Sequence, residues 1–275
     1  MKPLITRTLT GLAYLVVMVG CLLLSKYCFL LVMLLVVTMM MHEFHKMNMG
    51  GTYPVQQVLS VLTGLGIFLL FFCHMAYGIE SKYILLGFIP LFALMVSFFG
   101  IKDREEFHKV SHLFTSILYI AIPMSMFNLL VFHNYNFDGI VLLGFFIIVW
   151  VSDVGAYCFG MALGQKYGPK LCPNISPKKS WIGVIGGVAT SVAAGAILSA
   201  TGMLPFGMGH CIALAAVICV TGICGDLIES VWKRVCGVKD SGNCIPGHGG
   251  MMDRFDSAVV AIPSAVIYMI IFGLL

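Results

Sequence analysis

The sequence contains few charged residues for its length. Of its 275 residues only 10% are charged and 60% are hydrophobic, and the mean hydropathy is +0.99. Soluble domains carry about 25% charged residues, so this chain has too few polar groups to cover its surface in water and must be solvated by lipid. It also lacks a basic stripe, which argues against nucleic acid as a partner.

The chain also lacks the alternating segments of roughly ten residues from which membrane barrels are built. Its apolar stretches are long and unbroken, and about 20 such residues cross a bilayer as a helix with their backbone polar groups paired internally. We therefore predict an all-α fold, a polytopic transmembrane helical bundle of about nine spans. The predicted spans lie near residues 8–24, 28–46, 55–79, 83–99, 111–133, 138–163, 181–201, 210–233 and 256–274.

Neither a C-x-x-C spacing nor a signal-peptide cleavage site is present. Most of the ten cysteines lie inside apolar runs, where a free cysteine behaves as a small hydrophobic residue. We expect structural thiols rather than disulfides or a zinc site. The first apolar run follows Lys2 and Arg7 without a small-residue cleavage site, so we interpret it as a retained span.

The positions of lysine and arginine predict the orientation of the spans. With the N-terminus in the cytoplasm, all of the 16 basic residues except Lys26 and Lys82 fall on the cytoplasmic side, as the positive-inside rule requires. The polar stretches 164–180 and 225–256 then face the cytoplasm. We divide the chain into N-terminal transmembrane helices, 1–135, and a C-terminal region with the polar loops, 136–275.

The end of the eighth predicted span carries charged residues on one face. Asp226, Glu229, Ser230 and Lys233 share a side of a helix at 100° per residue. Ionisable residues at membrane depth normally face a bundle interior or a wet cavity, which indicates a site. An ordinary helix end at the interface, with Glu229 and Lys233 as a supporting pair, is the alternative.

A glycine-rich loop follows, with Gly247, His248, Gly249 and Gly250 in succession. Such a backbone can approach a ligand closely, and its N–H groups can hold phosphate oxygens, although glycines also mark ordinary turns. Beyond the loop, two aspartates stand three positions apart at the start of the last span. They can cap the helix, or they can supply the oxygen ligands that Mg²⁺ prefers. These aspartates are Asp253 and Asp256.

The earlier polar stretch contains one aspartate inside a span and two adjacent lysines before the next. Asp153 lies in an apolar run, so we favour a functional role over a structural pairing with a lysine. Lys178 and Lys179 either follow the positive-inside rule alone or form a cationic rim for a triphosphate or a lipid phosphate.

These motifs together resemble the signature of the phosphatidate cytidylyltransferases, also called CDP-diacylglycerol synthases. The resemblance runs from Ser230 to Asp256 with matching spacing and extends upstream to the segments 152–157 and 176–181. It covers about residues 150–260, while earlier residues share only their apolar character. Ile182 stands where the family often has a glutamate, so no polar role is carried over to that position.

The resemblance implies transfer of CMP from CTP to phosphatidic acid by an enzyme embedded in the bilayer. It implies Mg²⁺, alone or with a second ion such as K⁺, bound by Asp226 and Asp253. It places the enzyme in a bacterial-type inner membrane, with its active site facing the cytoplasm and the catalytic region in 136–275. The implied catalytic residues are Asp226, Asp253, Lys233, Lys239 and Asp256, and the implied substrate-binding residues are Asp153, Lys178, Lys179, Ser180, Ser230, Arg234, Asp240, His248, Gly249, Gly250 and Arg254.

Three other functions stay open at this stage. A transporter or channel could use Asp153 and Asp226 as an ion path, another CTP-dependent enzyme could act on a different lipid, and an inactive scaffold would leave the motifs unexplained. The abundant small residues are compatible with a homodimer. We interpret the segment 42–45, which contains two histidines and Glu43, as polar residues at the membrane interface rather than metal ligands.

Overall fold

The described part of the chain is almost entirely helical. The computed structural model describes residues 2–101, 107–164, 168–244, 247 and 249–275, with side chains in the first helix described from residue 8 onward. In this part of the chain eight helices are long and apolar enough to cross a membrane, and the described apolar part of the first helix, Thr8–Leu24, is shorter. The predicted polytopic helical bundle is confirmed.

We label the helical segments α1 to α9 in chain order. Each lies within a few residues of a predicted span, because hydropathy and backbone pairing in lipid both require continuous apolar helices. The largest shift is in α1, which begins at Lys2, six residues before the predicted start at residue 8. The segments are α1 Lys2–Leu24, α2 Lys26–Met49, α3 Pro54–Tyr77, α4 Ser81–Gly100, α5 Phe107–Leu130, α6 Ile140–Gly164, α7 Trp181–Ala200, α8 Met208–Val235 and α9 Met252–Ile271.

Several of these segments change helix type along their length. In α4 the α-helical turns Ile89–Ser97 lie between 3₁₀ turns at Ser81–Phe88 and Phe98–Gly100. A π-helical turn interrupts α5 at Ile117–Ala121, and another ends α6 at Gly160–Gly164. The break in α9 separates a short turn, Met252–Phe255, from the helix Ala258–Ile271.

Two short antiparallel hairpins connect helices. Phe132–His133 pairs with Asn136–Phe137 between α5 and α6. Lys170–Cys172 pairs with Ser176–Ser180 before α7, with Lys170 opposite Ser180. At the end of the second hairpin the Ser180 hydroxyl accepts a hydrogen bond of 3.2 Å from the Gly183 N–H and so caps α7.

By packing, the chain forms two compact units. The N-terminal unit comprises Met1–Asp138 and Cys236–Arg254, and the C-terminal unit comprises Gly139–Val235 and Phe255–Leu275. The sequence analysis assigned the catalytic region to residues 136–275, and that functional division stays a prediction. The loop segment 236–254 packs with the N-terminal helices, although the sequence division placed it in the C-terminal region.

A polar network ties three helices inside the N-terminal unit. His45 on α2 is fully buried, and its Nε2 lies 2.7 Å from the Ser116 hydroxyl of α5. Ser60 on α3 lies 3.0 Å from the same hydroxyl and donates to the Leu113 carbonyl oxygen. Polar contacts of this kind hold helices together where lipid provides no hydrophobic drive.

Small residues allow close helix contacts in the C-terminal unit. A side chain at Gly195 of α7 would place its Cβ 2.6 Å from the Cys211 carbonyl oxygen of α8. At Gly187 the same atom would lie 3.2 Å from the Ser152 carbonyl oxygen of α6. These glycines permit backbones to approach as in other membrane bundles. All ten cysteines are free thiols.

Candidate active site

The end of α8 carries an ion pair in the C-terminal unit. The Lys179 ammonium, from the hairpin before α7, lies 2.5 Å from the Asp226 carboxylate. Ser230, one turn after Asp226, donates a hydrogen bond of 3.4 Å to the same carboxylate. The α8 face predicted from helical spacing therefore binds a lysine that lies 47 positions away in the chain.

A second ion pair lies on the same helix. Lys233 donates to the Glu229 carboxylate at 2.8 Å, and the Glu229 side chain is 0% exposed. Lys233 is itself buried. The i,i+4 pair considered in the sequence is present, but burial makes it costly to keep without a function, because moving two charges out of water carries a large penalty.

Asp256 adds a further carboxylate to this group. Asp226, Glu229 and Asp153 all lie close enough to Asp256 for their charges to act on it. The approach of α8 to α9 depends on Gly225, because a Cβ there would lie 3.2 Å from Val260 and closer still to the Asp256 carbonyl oxygen. Four carboxylates thus gather in one region, and Asp226 and Glu229 are paired with lysines.

Arg234 and Asp153 lie at the margin of this cluster. Arg234 is exposed, and its Nε donates a hydrogen bond of 3.3 Å to the Ile175 carbonyl oxygen in the hairpin before α7. Asp153 is exposed on α6, whereas Ser152 beside it is buried. Both side chains are accessible to a ligand that approaches the cluster.

The loop before α9 is folded around Asp253 in the N-terminal unit. Its Oδ2 accepts hydrogen bonds from the Ser241 N–H at 2.9 Å, the Ser241 hydroxyl at 2.9 Å and the Gly250 N–H at 2.8 Å. Gly249 adopts a φ of +83°, which favours glycine. Asp253 Oδ2 therefore organises the loop through three hydrogen bonds.

Glu43 on α2 also binds this loop, within the N-terminal unit. Its two carboxylate oxygens accept hydrogen bonds of 2.9 Å from the N–H groups of Met251 and Met252. The Ser241 hydroxyl lies 3.2 Å from Glu43 Oε2. Only 7% of Glu43 is exposed, so this carboxylate is a buried anchor for the loop.

Comparison with known proteins identifies the family of this chain. Residues 5–272 match the cytidylyltransferase family over nearly the full sequence. The chain belongs to this family.

Several curated relatives are similar to this chain. The phosphatidate cytidylyltransferase of Staphylococcus haemolyticus is 30% identical over 266 residues, which cover 96% of this chain and 98% of that protein. The protein of the same name from Staphylococcus epidermidis is 31% identical over 267 residues, with the same coverage. The phosphatidate cytidylyltransferase of Brucella suis is 44% identical over 135 residues, 49% of this chain, and the match spans about half, 47%, of that relative.

Within this cytidylyltransferase-family chain, half of the predicted site residues fall into two groups. The C-terminal unit brings together Lys179, Asp226, Ser230 and Asp256, with Lys233 on the next turn. The N-terminal unit brings together Gly249, Gly250 and Asp253. Asp226 and Asp253 belong to different units, and the metal that the resemblance assigns to both stays a prediction.

Ser180 is buried and caps α7, and the remaining predicted residues are exposed or lie outside the described residues. Lys178 is exposed in the hairpin, and Lys239, Asp240 and Arg254 are exposed around the loop. His248 lies outside the described residues. Gly250 donates its N–H to Asp253, so the structure gives it a role inside the protein, and its contact with phosphate stays a prediction.

The sequence interpretation of segment 42–45 as polar residues at the membrane interface stays a prediction. Within the protein, Glu43 and His45 are buried at 7% and 0% exposure, because the loop 241–252 and the α3 and α5 hydroxyls contact them. The sequence signal was a single acidic residue near the end of an apolar span, which by itself does not distinguish a functional position from an interfacial one. His42, by contrast, is exposed.

Proposed function

We propose that this chain transfers CMP from CTP to phosphatidic acid, giving CDP-diacylglycerol and pyrophosphate for phospholipid synthesis. The observation that carries the proposal is a cluster of two ion pairs, Lys179 with Asp226 and Lys233 with Glu229. Three of these four residues lie at the end of α8, a helix apolar enough to span a membrane. Charges at such a position are expensive and are retained to bind charged ligands. The named activity of relatives that match nearly the whole chain supports this pair of substrates.

The reaction joins two anions. A phosphate oxygen of phosphatidic acid forms a bond to the α-phosphorus of CTP while the bond from that phosphorus to the bridging oxygen of the β-phosphate breaks, and pyrophosphate leaves with the electron pair. The lipid phosphate is already ionised at neutral pH, so no strong base is required. The protein has to position the reactants and neutralise their charge.

The cationic side chains of the cluster suit that task. Lys179 and Lys233 already neutralise carboxylates and can turn toward phosphate oxygens when substrate arrives. Arg234 and Lys178 are exposed beside them and can bind phosphate oxygens from the solvent side, Arg234 in a bidentate manner. In the N-terminal unit, Lys239, Asp240, Gly249 and Arg254 are proposed to bind substrate on the strength of the resemblance.

The carboxylates of the C-terminal unit fit a magnesium ion. Among the described residues no three His, Cys, Asp or Glu side chains form a ready ligand set. Mg²⁺ does not need one, since it is commonly held by one or two carboxylates together with substrate phosphates and water. Asp226 with Asp256 provides such a pair, and the ligand role that the resemblance implies for Asp253 stays a prediction. When bound, the ion would withdraw charge from the reacting phosphate groups.

The proposed location follows from both substrates. The chain is a multi-pass membrane protein with bacterial relatives. We place it in the inner membrane with the cluster facing the cytoplasm, where CTP is available and phosphatidic acid enters laterally from the leaflet. A homodimer and a second ion such as K⁺ stay predictions.

The test is pyrophosphate release by purified protein in detergent with phosphatidic acid, CTP and Mg²⁺. Release should require all three components, and the lipid product should carry CMP. Asp226→Asn should lower turnover by on the order of 10²- to 10³-fold, because it removes a charged ligand of the magnesium ion that would neutralise the reacting phosphates. Asp138→Asn, an exposed aspartate distant in sequence from every proposed ligand, is the matched control and should retain activity.

Two results would contradict the proposal. Folded wild-type protein that releases no pyrophosphate with phosphatidic acid, but does so with another lipid acceptor, would indicate a different CTP-dependent enzyme. Ion uptake into sealed vesicles without CTP, together with no pyrophosphate release, would indicate a transporter.

A further inference from the structure

Glu43 makes an unusual set of contacts for a residue on the second span. Each of its two carboxylate oxygens accepts a backbone N–H, from Met251 and Met252, and one oxygen also faces the Ser241 hydroxyl. Ser241 and Glu43 stand 198 positions apart in the chain. The carboxylate therefore joins α2 to both ends of the loop 241–252.

Two glycines of the loop leave the space that this carboxylate occupies. A Cβ at Gly242 would lie 2.6 Å from Glu43 Oε1, and one at Gly250 would lie 2.8 Å from the carboxylate carbon and closer still to its Oε2. Neither glycine has a positive φ, so space rather than backbone conformation requires glycine at both positions. Any larger residue would push the loop away from Glu43.

The hydrogen bonds also link Glu43 to Asp253. The Ser241 hydroxyl lies 2.9 Å from Asp253 Oδ2 and 3.2 Å from Glu43 Oε2, so it connects the two carboxylates. Met251 and Met252, which donate to Glu43, immediately precede Asp253 in the chain. A shift of the Glu43 carboxylate would therefore move Asp253 in two ways, through the Ser241 hydroxyl and through the backbone of Met251 and Met252.

We infer that Glu43 is a positioning residue, which holds the loop 241–252 and sets the orientation of Asp253 for ligand binding. It does not itself touch the reactants. The inference rests on the proposed function, in which Asp253 contributes to the metal site. The cost of burying a carboxylate is offset by its two backbone donors, which would otherwise be unpaired at the start of α9.

Amide hydrogen exchange tests the contacts without any need for activity. In wild-type protein the N–H groups of Met251 and Met252 should exchange slowly, and those of the exposed residues Asn243 and Gly247 should exchange fast. In Glu43→Gln one carboxylate oxygen becomes an NH₂ group that cannot accept, so exchange at residues 251–252 should accelerate. Glu80→Gln, at a largely exposed glutamate paired with Lys82, should leave these rates unchanged.

The Mg²⁺ dependence of pyrophosphate release tests the positioning role. Glu43→Gln should raise the Mg²⁺ concentration for half-maximal activity by about 10- to 100-fold, the range found when an outer hydrogen-bond partner of a metal ligand is removed. A variant that merely folded less well would lose maximal activity without moving this midpoint. Glu43→Asp, which keeps the charge but is shorter, should restore the midpoint in part.

The alkylation rate of the Cys244 thiol is an independent measure of the contact between Glu43 and the loop. Burial, followed by a hydrogen bond to Glu43 and its negative charge, raises the pKa of Cys244 to about 12. This thiol is therefore protonated and slow to alkylate at pH 8. Glu43→Gln removes the negative charge, which lowers the pKa of Cys244, so its alkylation measured by peptide mass spectrometry should become faster.

The outcomes separate this inference from the proposed function. Fast exchange at Met251 and Met252 in wild-type protein overturns the inference, even if no Glu43 variant folds. Faster exchange in Glu43→Gln with an unchanged Mg²⁺ midpoint and turnover also overturns it. If wild-type protein releases no pyrophosphate, the proposed function fails, while the exchange and alkylation measurements still decide whether Glu43 orders the loop.

Discussion

Lys178 and Lys179 are adjacent in the sequence but lie in different surroundings. Lys179 is about a quarter exposed and pairs with Asp226, whereas Lys178 is exposed. A cation at this distance from a carboxylate competes with any other cation for the same oxygens. Lys179 therefore balances Asp226 in the absence of ligand, and a bound metal would release it toward substrate phosphate.

Replacement of Lys179 should strengthen metal binding while weakening catalysis. Lys179→Met should bind Mn²⁺, used as a spectroscopic substitute for Mg²⁺, about fivefold more tightly, since a partly exposed ion pair is worth roughly 1 kcal/mol. Turnover should fall because a phosphate contact is lost. Electron paramagnetic resonance of free Mn²⁺ measures the affinity without turnover. Lys178→Met is the control, and equal Mn²⁺ affinities in the two variants would contradict this role.

At the scale of elements, the contact between α8 and α9 brings Asp226 and Asp256 into one cluster. It depends on Gly225, where a Cβ would lie 3.3 Å from the Ser257 carbonyl oxygen at the break in α9 and closer still to that of Asp256. The break itself leaves the Ser257 N–H to donate to the Asp256 carboxylate at 2.6 Å. A close backbone approach and an interrupted helix together position the second carboxylate.

A side chain at position 225 should therefore separate the two helices. Gly225→Ala should destabilise the protein by about 1–3 kcal/mol, the usual cost of overpacking, and should lower activity. Gly209→Ala is the matched control on the same helix, because a Cβ at Gly209 meets no atom within 4 Å. Thermal unfolding in detergent provides the comparison. Equal melting temperatures for the two variants would show that the close approach is not required.

At the scale of the whole molecule, the spans and their basic residues predict an orientation across the membrane. Nine spans with a cytoplasmic N-terminus put the hairpin Phe132–His133 and Asn136–Phe137 on the far side and the loop before α9 in the cytoplasm. The observed helices leave this alternation intact, since each lies at a predicted span.

Cysteine labelling in intact cells tests this orientation. Asn136→Cys should react with a membrane-impermeant maleimide added from outside, because its exposed side chain belongs to the far-side hairpin. Asn243→Cys, exposed in the loop before α9, should react only after permeabilisation. Peptide mass spectrometry distinguishes both sites from the native cysteines. The reversed pattern would place the charged cluster outside the cell and contradict the proposed access of CTP.

The sequence by itself determined the helical spans and the motif residues that signal the family. Hydropathy is a local and additive property, so a run of apolar residues specifies a span whatever its neighbours are. Helical spacing was sufficient in the same way to place Asp226 and Ser230, and Glu229 and Lys233, in i,i+4 contact. The predicted roles of Lys239, Asp240 and Arg254 rest on resemblance alone.

Only the tertiary structure decided which of these residues meet across the chain. The pairing of Lys179 with Asp226 and the capture of the loop by Glu43 join segments that no periodicity relates. Glu43 is a single acidic residue near the end of an apolar run, and by hydropathy it cannot be distinguished from a solvated interfacial residue. Its burial arises because the loop folds over it and supplies donors, and such long-range contacts depend on packing that local sequence does not encode.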